Sequence, residues 1–157
     1  MKTTRGFTLI ELLVTLVLVG LVASISVPLY EVTSTRLRET ELRAALRQIR
    51  TAIDAYKAAA DSGLIAKGVT ESGYPPSLEV LVQGIEVQNM ADRRRIVFLR
   101  QLPRDPFFLE QAAAPAQHWA TRSYGSPPDD PRPGDDVYDV SSRSARLGLN
   151  GVEYREW

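Results

Sequence analysis

Apolar residues form one uninterrupted run near the start of the chain. From Leu12 to Tyr30 there is no charged residue over 19 positions. As an α-helix this run spans roughly 28 Å, about the thickness of the hydrocarbon core of a bilayer. Lys2 and Arg5 precede the run, so the positive-inside rule places the N-terminus in the cytoplasm and the rest of the chain on the other side. The pattern predicts one membrane-spanning helix.

A second helical pattern follows the apolar run without a break. Apolar side chains recur at alternating spacings of four and three residues, which is the period of one helix face. These positions are Leu42, Leu46, Ile49, Ile53, Tyr56 and Ala60. No glycine or proline occurs between Leu29 and Asp61, and Asp61-Ser62-Gly63 ends the pattern. We expect one helix from about Phe7 to Ala60, bent or locally opened at Pro28, because proline removes a backbone donor.

Residues 61–157 alternate short apolar segments with turn-forming residues. Ser77 follows Pro76 and is expected to cap a short helix from Leu78 to Gln83. Asn150-Gly151 is a strong signal for a hairpin turn. The segments that we interpret as strands are Ile96–Leu99, His118–Tyr124, Val137–Ser141 and Val152–Trp157, the last being the return strand of that hairpin. Together these elements predict an α+β fold, a long helical spine packed on a small antiparallel sheet.

Composition narrows the possible chemistry. The 19 basic and 19 acidic residues cancel, so net charge gives no reason to expect a nucleic-acid partner. The absence of cysteine excludes disulfides and thiolate zinc sites. The single histidine, His118, is not accompanied by a serine in a G-x-S-x-G setting, and we interpret it as a surface or strand residue. We therefore expect no enzyme. Arg93-Arg94-Arg95 predicts a solvated loop, with a phosphate or lipid contact as the alternative.

Glu11 stands out because it lies at the edge of the apolar helix. A carboxylate at that place is costly unless it is paired, so it marks a functional position by default. The alternative is that Glu11 lies at the depth of the lipid headgroups and is simply hydrated. Its position alone leaves both interpretations open.

The residues around Glu11 form a recognisable string, Arg5-Gly6-Phe7-Thr8-Leu9-Ile10-Glu11. It closely resembles the prepilin signature of type IV pilins and type II secretion pseudopilins, and Pro28 falls where that family usually bends its helix. The resemblance implies that a membrane prepilin peptidase cuts between Gly6 and Phe7 and that Phe7 is N-methylated. It also implies that Glu11 faces a Phe7 ammonium of the same or a neighbouring subunit.

An ordinary secretory signal peptide is the competing interpretation of the first residues. Ser24-Ile25-Ser26 has the small-x-small pattern of a cleavage site. Glu11 argues against it, because a carboxylate would interrupt the apolar region close to its start. The amphipathic helix that follows would also have no reason to continue a segment that is removed.

The C-terminal half is similar to the major pseudopilin of type II secretion. The segments that carry this similarity are Tyr74–Val82, Leu102–Phe107, Asp136–Ser141 and the final Trp157. Such proteins generally bind calcium in the loop before that tryptophan, through several aspartates. Here the loop, residues 142–151, holds two arginines and no acidic residue, whereas calcium prefers several carboxylates. We therefore expect no cofactor and no metal, with calcium near Asp135, Asp136 and Asp139 as the alternative.

The resemblance implies a role for each part of the chain. Residues 1–6 would be the leader, 7–30 the transmembrane and filament-core helix, 31–60 its amphipathic continuation, and 61–157 a small globular domain. The implied partners are further copies, minor pseudopilins, the prepilin peptidase, an inner-membrane assembly platform, a secretion ATPase and, before assembly, membrane lipid. The chain would cross the inner membrane once, with its globular domain in the periplasm. The alternatives are a type IV pilus subunit for adhesion, motility or DNA uptake, and a membrane-tethered binding domain or enzyme.

Overall fold

A computed structural model describes residues 6–66, 72–87 and 94–157. Helix α1 runs Leu9–Asp61, which confirms the long helix that the periodicity predicts. The helix assignment continues through Pro28, and the bend or local opening expected there stays a prediction. The chain divides into two compact units with the boundary after Leu37, and each unit is described by itself.

The N-terminal unit is a single apolar helical segment. Its most apolar 18-residue window has a mean hydropathy of 2.5, and none of that window is buried. Thr15, Ser24 and Thr33 donate their hydroxyl hydrogen atoms to backbone carbonyls three or four residues earlier, at 2.8–2.9 Å. A hydroxyl that is satisfied inside its own helix can enter an apolar environment at little cost. By length and composition, the segment can cross a membrane.

The core of the C-terminal unit is built on the second half of α1. All six predicted face residues are buried, with at most 3% of each side chain exposed. They pack in one cluster with buried residues from the rest of the unit, including Leu81, Trp119, Val140 and Tyr154. Burying each leucine or isoleucine side chain of this face contributes about 1.5–3 kcal/mol to the free energy of unfolding. This face therefore anchors the C-terminal unit to α1.

Helix α2 runs Leu78–Gln83, as predicted, and leads into a short antiparallel hairpin. Ser77 occupies the N-cap position but makes no side-chain cap hydrogen bond, so the predicted capping role is wrong. Strand β1, Ile85–Glu86, pairs with β2, Arg95–Ile96. The tip, residues 88–93, lies outside the described residues and includes Arg93 of the predicted arginine loop.

The predicted strand Ile96–Leu99 is wrong beyond Ile96. The N–H groups of Phe98 and Leu99 both donate to the Leu81 carbonyl, at 3.1 and 3.0 Å. Because these donors are used by the end of α2, they cannot extend the ladder between β1 and β2. The apolar run therefore packs against α2 and does not continue the sheet.

A second antiparallel pair joins β3, Trp119–Arg122, to β4, Asp139–Ser142, with Trp119 opposite Ser142. Both strands were predicted, although their bounds differ by up to two residues. His118 is neither exposed nor in a strand, so that prediction is wrong. It ends a 3₁₀ helix, Pro115–His118, and its ring is fully buried and stacked on Phe108 at 4.6 Å.

The predicted return strand Val152–Trp157 is also wrong. The Asn150-Gly151 turn forms, with the Gly151 N–H donating to the Gly148 carbonyl at 2.9 Å. After one bridge between Leu147 and Glu153, however, the chain enters a 3₁₀ helix, Tyr154–Glu156. A 3₁₀ turn places residues three apart on one side. That geometry brings the Trp157 ring edge-on to buried Tyr154 at 5.0 Å, which a flat strand would not do.

Candidate functional site: the helix start and the C-terminal loop

The first described residues form an exposed, non-helical lead into α1. Gly6 and Phe7 precede the helix, and the Phe7 side chain is 76% exposed. The Thr8 hydroxyl accepts from the Glu11 N–H at 3.3 Å, and its carbonyl accepts from the Leu12 N–H at 3.2 Å. Thr8 therefore acts as the N-cap of α1, and Glu11 falls three residues later, the spacing of a capping box. The signal is present in the sequence as Thr8 and Glu11 at this spacing, although the pattern of the signature alone did not predict a cap.

Glu11 lies in the first turn of α1 with its side chain exposed. A carboxylate at that place is favoured by the partial positive charge of the helix N-terminus. Within the described part of its own subunit it makes no ion pair. The carboxylate is thus available to a cation that another molecule supplies.

The apolar surface that follows has no cover in the monomer. From Leu9 to Tyr30, every large apolar side chain whose burial is described is at least 50% exposed. A patch of this extent in water marks a surface that lipid or protein covers. The segment therefore has two chemically suitable environments, a bilayer and a bundle of similar helices.

A buried carboxylate of α1 holds the loop 142–151. Glu39 is 5% exposed, and its Oε1 accepts from the Leu149 N–H at 2.6 Å and from the Tyr154 hydroxyl at 3.2 Å. Burial raises the pKa of Tyr154, and the nearby Glu39 carboxylate raises it further. Tyr154 therefore keeps its proton and remains a donor to Glu39. A negative side chain from the helix thus stabilises a loop that has none of its own.

Arg50 fixes the end of the chain to the same helix. Its guanidinium donates to Asp139 Oδ1 at 2.8 Å, to the Val140 carbonyl at 3.0 Å and to the Trp157 backbone oxygen at 2.7 Å. Two turns earlier, the Arg43 guanidinium lies 4.3 Å from the centre of the Trp157 ring. These contacts hold β4 and the C-terminus against α1 through a planar group with several donors.

The aspartates considered as calcium ligands do not form a cluster. Two of them bind other side chains or backbone groups, and the third is exposed. Asp136 accepts hydrogen bonds from Ser72, from Ser123 at 2.6 Å and from the Tyr124 N–H at 2.9 Å. Asp139 pairs with Arg50, and Asp135 is exposed. Among the residues that the structure describes, no three His, Cys, Asp or Glu side chains are grouped to hold a metal ion.

Burial of Asp136 opposes its ionisation, but its hydrogen bonds favour it more strongly. Desolvation alone would raise the pKa of this carboxyl. The three donors that face the ionised oxygens outweigh that effect and lower the pKa below the ordinary value of 3.8. Asp136 is therefore a carboxylate at neutral pH and joins the segment around Ser72 to the end of β3.

Comparison with known proteins agrees with this arrangement. Residues 1–27 match the family profile described as "Prokaryotic N-terminal methylation motif", a stretch that includes Gly6, Phe7 and Glu11. The chain is also 27% identical to the type II secretion system core protein G of Klebsiella pneumoniae over 143 residues, which cover 87% of this chain and 94% of that protein. The chain therefore carries a prepilin-type N-terminal motif and is similar over most of its length to a core protein of type II secretion. No solved structure matches it.

The resemblance drawn from the signature and the C-terminal segments is confirmed. What sequence reasoning missed is the support of the loop by Glu39 and of β4 and Trp157 by Arg50. One signal was available, since Glu39 stands three residues before Leu42 and so extends the apolar face of α1 with a charge. A carboxylate at such a position predicts a buried partner, although its identity depends on residues 110–115 positions away.

Proposed function

We propose that this protein is a structural subunit of a type II secretion pseudopilus, which assembles into a helical filament through the first half of α1. The observation that carries the proposal is a long, wholly exposed apolar helix joined in one chain to a folded C-terminal unit. The prepilin-type motif and the similarity to a secretion core protein over most of the chain support it. Its role is structural rather than enzymatic.

The precursor begins as a single-pass protein of the inner membrane. Lys2 and Arg5 hold the N-terminus on the cytoplasmic side, and the C-terminal unit lies in the periplasm. The prepilin peptidase cuts between Gly6 and Phe7, a site that the exposed, non-helical lead into α1 leaves accessible. Cleavage removes both basic residues and creates an ammonium at Phe7, whose positive charge N-methylation preserves.

Assembly exchanges lipid around the helix for neighbouring helices. The Glu11 carboxylate then faces the Phe7 ammonium of an adjacent subunit, and each charge relieves the desolvation of the other. Removing one member of such a buried pair costs roughly 3–5 kcal/mol, because its partner is left unpaired. The pair therefore favours one axial register among the many that apolar packing alone permits. The assembly platform, its ATPase and minor pseudopilins supply the other components.

Processing is the direct test of this proposal. Intact mass and N-terminal sequencing of membrane-extracted protein should give a chain that starts at a methylated Phe7. Sheared material from cells that express the secretion machinery should contain filaments of the processed chain. A mature chain that starts at Met1 or at Val27 would contradict the proposal, since the first means no cleavage and the second means an ordinary signal peptide.

A further inference from the structure

The loop that Glu39 holds exposes an apolar surface of its own. Leu147, Leu149 and Val152 are 66%, 49% and 38% exposed. Arg146 adjoins them; its guanidinium lies 5.7 Å from the centre of the Phe107 ring and has no carboxylate partner within the described part of the subunit. We call these four residues the loop patch. Because the Leu149 N–H donates to Glu39, the patch cannot fold inward without breaking a partly buried hydrogen bond.

A matching surface lies on α1 in the N-terminal unit. Val27, Tyr30 and Leu37 are 63%, 75% and 63% exposed. Their spacings of three and seven residues place them on one face of the helix, and Glu31 lies on that face one turn after Val27. No cation pairs with the Glu31 side chain in the described part of the subunit. We call these four residues the helix patch.

The two patches are complementary in kind. Each presents three apolar side chains and one charge, positive on the loop patch and negative on the helix patch. A charge at the edge of an apolar contact fixes register and excludes wrong partners. If the loop patch lay in a bilayer instead, lipid would cover its apolar side chains and its arginine. The Glu31 carboxylate of the helix patch would then have no cation beside it.

We propose that the loop patch of one copy docks on the helix patch of a second copy, with Arg146 against Glu31; this inference rests on the proposed filament. Leu149 lies beside Glu39 of its own chain, whereas the helix patch is centred near Glu31, eight residues earlier. Docking therefore brings the loop around Leu149 of one copy against α1 near Glu31 of the other.

Disulfide trapping tests the contact directly, because the natural chain has no cysteine. We would combine Tyr30→Cys with Leu149→Cys, and as a control combine Tyr30→Cys with Leu109→Cys, since Leu109 is a 94% exposed leucine on a different loop. A disulfide requires the two Cα atoms to approach within about 7 Å. Oxidised, sheared filaments should give a ladder of covalent multimers on a non-reducing gel for the first pair only.

Charge reversal tests the same contact without a disulfide. Glu31→Arg and Arg146→Glu should each lower the yield of sheared filaments several-fold relative to membrane-bound subunit, and the double variant should restore most of it. Arg100→Glu, at an exposed arginine outside the loop patch, is the matched control and should leave the yield unchanged. If the cysteine pair itself prevents assembly, this second experiment decides: no rescue in the double variant overturns the docking.

The outcomes separate this inference from the proposed function. Filaments that form normally but give no ladder with the first pair overturn the docking and leave the filament proposal intact. A cysteine-free parent chain that never forms filaments overturns the filament proposal and the docking with it. A Leu149→Cys thiol that is shielded from a water-soluble maleimide in membranes before assembly would place the loop patch in lipid, which also overturns the docking.

Discussion

At the scale of single residues, buried carboxylates organise the C-terminal unit by accepting hydrogen bonds from loops. Asp105 is fully buried, and it accepts from the Phe107 N–H at 2.7 Å and from the Ser142 hydroxyl at 2.5 Å. Glu39 and Asp136 serve the same purpose for other loop segments. A buried carboxylate is tolerated only when donors replace the water that it loses. Each of these residues therefore constrains the backbone that supplies its donors.

Asp136 gives the unit an acid-dependent stability. Its pKa is lower in the folded state than the 3.8 of an ordinary aspartate, so its contribution is complete above about pH 4 and is lost as the pH falls through the folded value. Asp136→Asn should lower the melting temperature at pH 7, and its difference from the natural chain should shrink below pH 4. Thermal unfolding of the full chain in detergent, monitored by tryptophan fluorescence, measures this difference in melting temperature. Asp135→Asn, at the exposed neighbour, should change nothing; an equal loss there would contradict the assignment.

Glu11 has two possible roles that a pair of variants can separate. As a partner of the Phe7 ammonium it acts only in the assembled filament, whereas as the third residue of a capping box it stabilises the first turn of α1. Glu11→Leu should remain inserted and cleaved after Gly6 but give few filaments, and Glu11→Asp should be intermediate because its reach is shorter. Thr8→Ala weakens the same cap, by about 0.5–2 kcal/mol, without removing the charge.

The readout is sheared-filament yield relative to membrane-bound subunit. We expect Thr8→Ala to assemble nearly as well as the natural chain. If Thr8→Ala and Glu11→Leu lost filaments to the same extent, the cap would explain the effect and charge pairing would not.

At the scale of elements, sequence predicts what is local. The period of apolar residues locates α1 and its buried face, and turn signals locate α2, because these elements make most of their hydrogen bonds within themselves. The ends of the small strands depend on distant partners. Phe98 and Leu99 leave the sheet because the end of α2 offers a carbonyl, and the last residues become a 3₁₀ helix because Tyr154 and Trp157 both turn toward α1. No local pattern encodes these partners.

The candidate site likewise has a part that the sequence predicts locally and a part that depends on distant residues. Gly6, Phe7 and Glu11 form a contiguous signature, so the sequence predicts them as a processing and assembly site, and that assignment stays a prediction. The contacts of Glu39 and Arg50 with the C-terminal segment, residues 139–157, join positions 89–115 residues apart. Only the folded unit brings those residues together, so no local pattern predicts the contacts.

The C-terminal loop also depends on a close approach at Gly148. A Cβ atom at that position would lie 2.8 Å from both Asn150 Oδ1 and Trp157 Cζ2. Gly148→Ala should therefore displace the Trp157 ring and destabilise the unit by about 1–3 kcal/mol, the usual cost of overpacking. Gly125→Ala is a suitable control, since nothing lies within 4 Å of its added Cβ. Chemical denaturation of the two variants provides the comparison, and equal stability would show that the ring has room to move.

At the scale of the whole molecule, the two units have opposite requirements. The C-terminal unit buries its own apolar residues around α1, whereas the N-terminal unit exposes nearly all of its apolar surface. The C-terminal unit can therefore fold without a partner, whereas the apolar surface of the N-terminal unit needs lipid or other copies to cover it. This division suits a subunit that waits in a membrane as a folded protein and changes only the surroundings of its helix on assembly.

Calcium is the cation that the family resemblance would place in the loop before Trp157. Here Glu39 accepts from the loop backbone, and Arg50 holds β4 and the C-terminus, so side chains of α1 provide the constraint that a bound cation would otherwise supply. Melting curves of the full chain in detergent should therefore overlay in calcium and in a chelator. A rise of several degrees with calcium would show that a metal site exists after all. Glu39→Gln should lower the melting temperature equally in both conditions, because the neutral amide binds the Leu149 N–H more weakly and the loss does not involve metal.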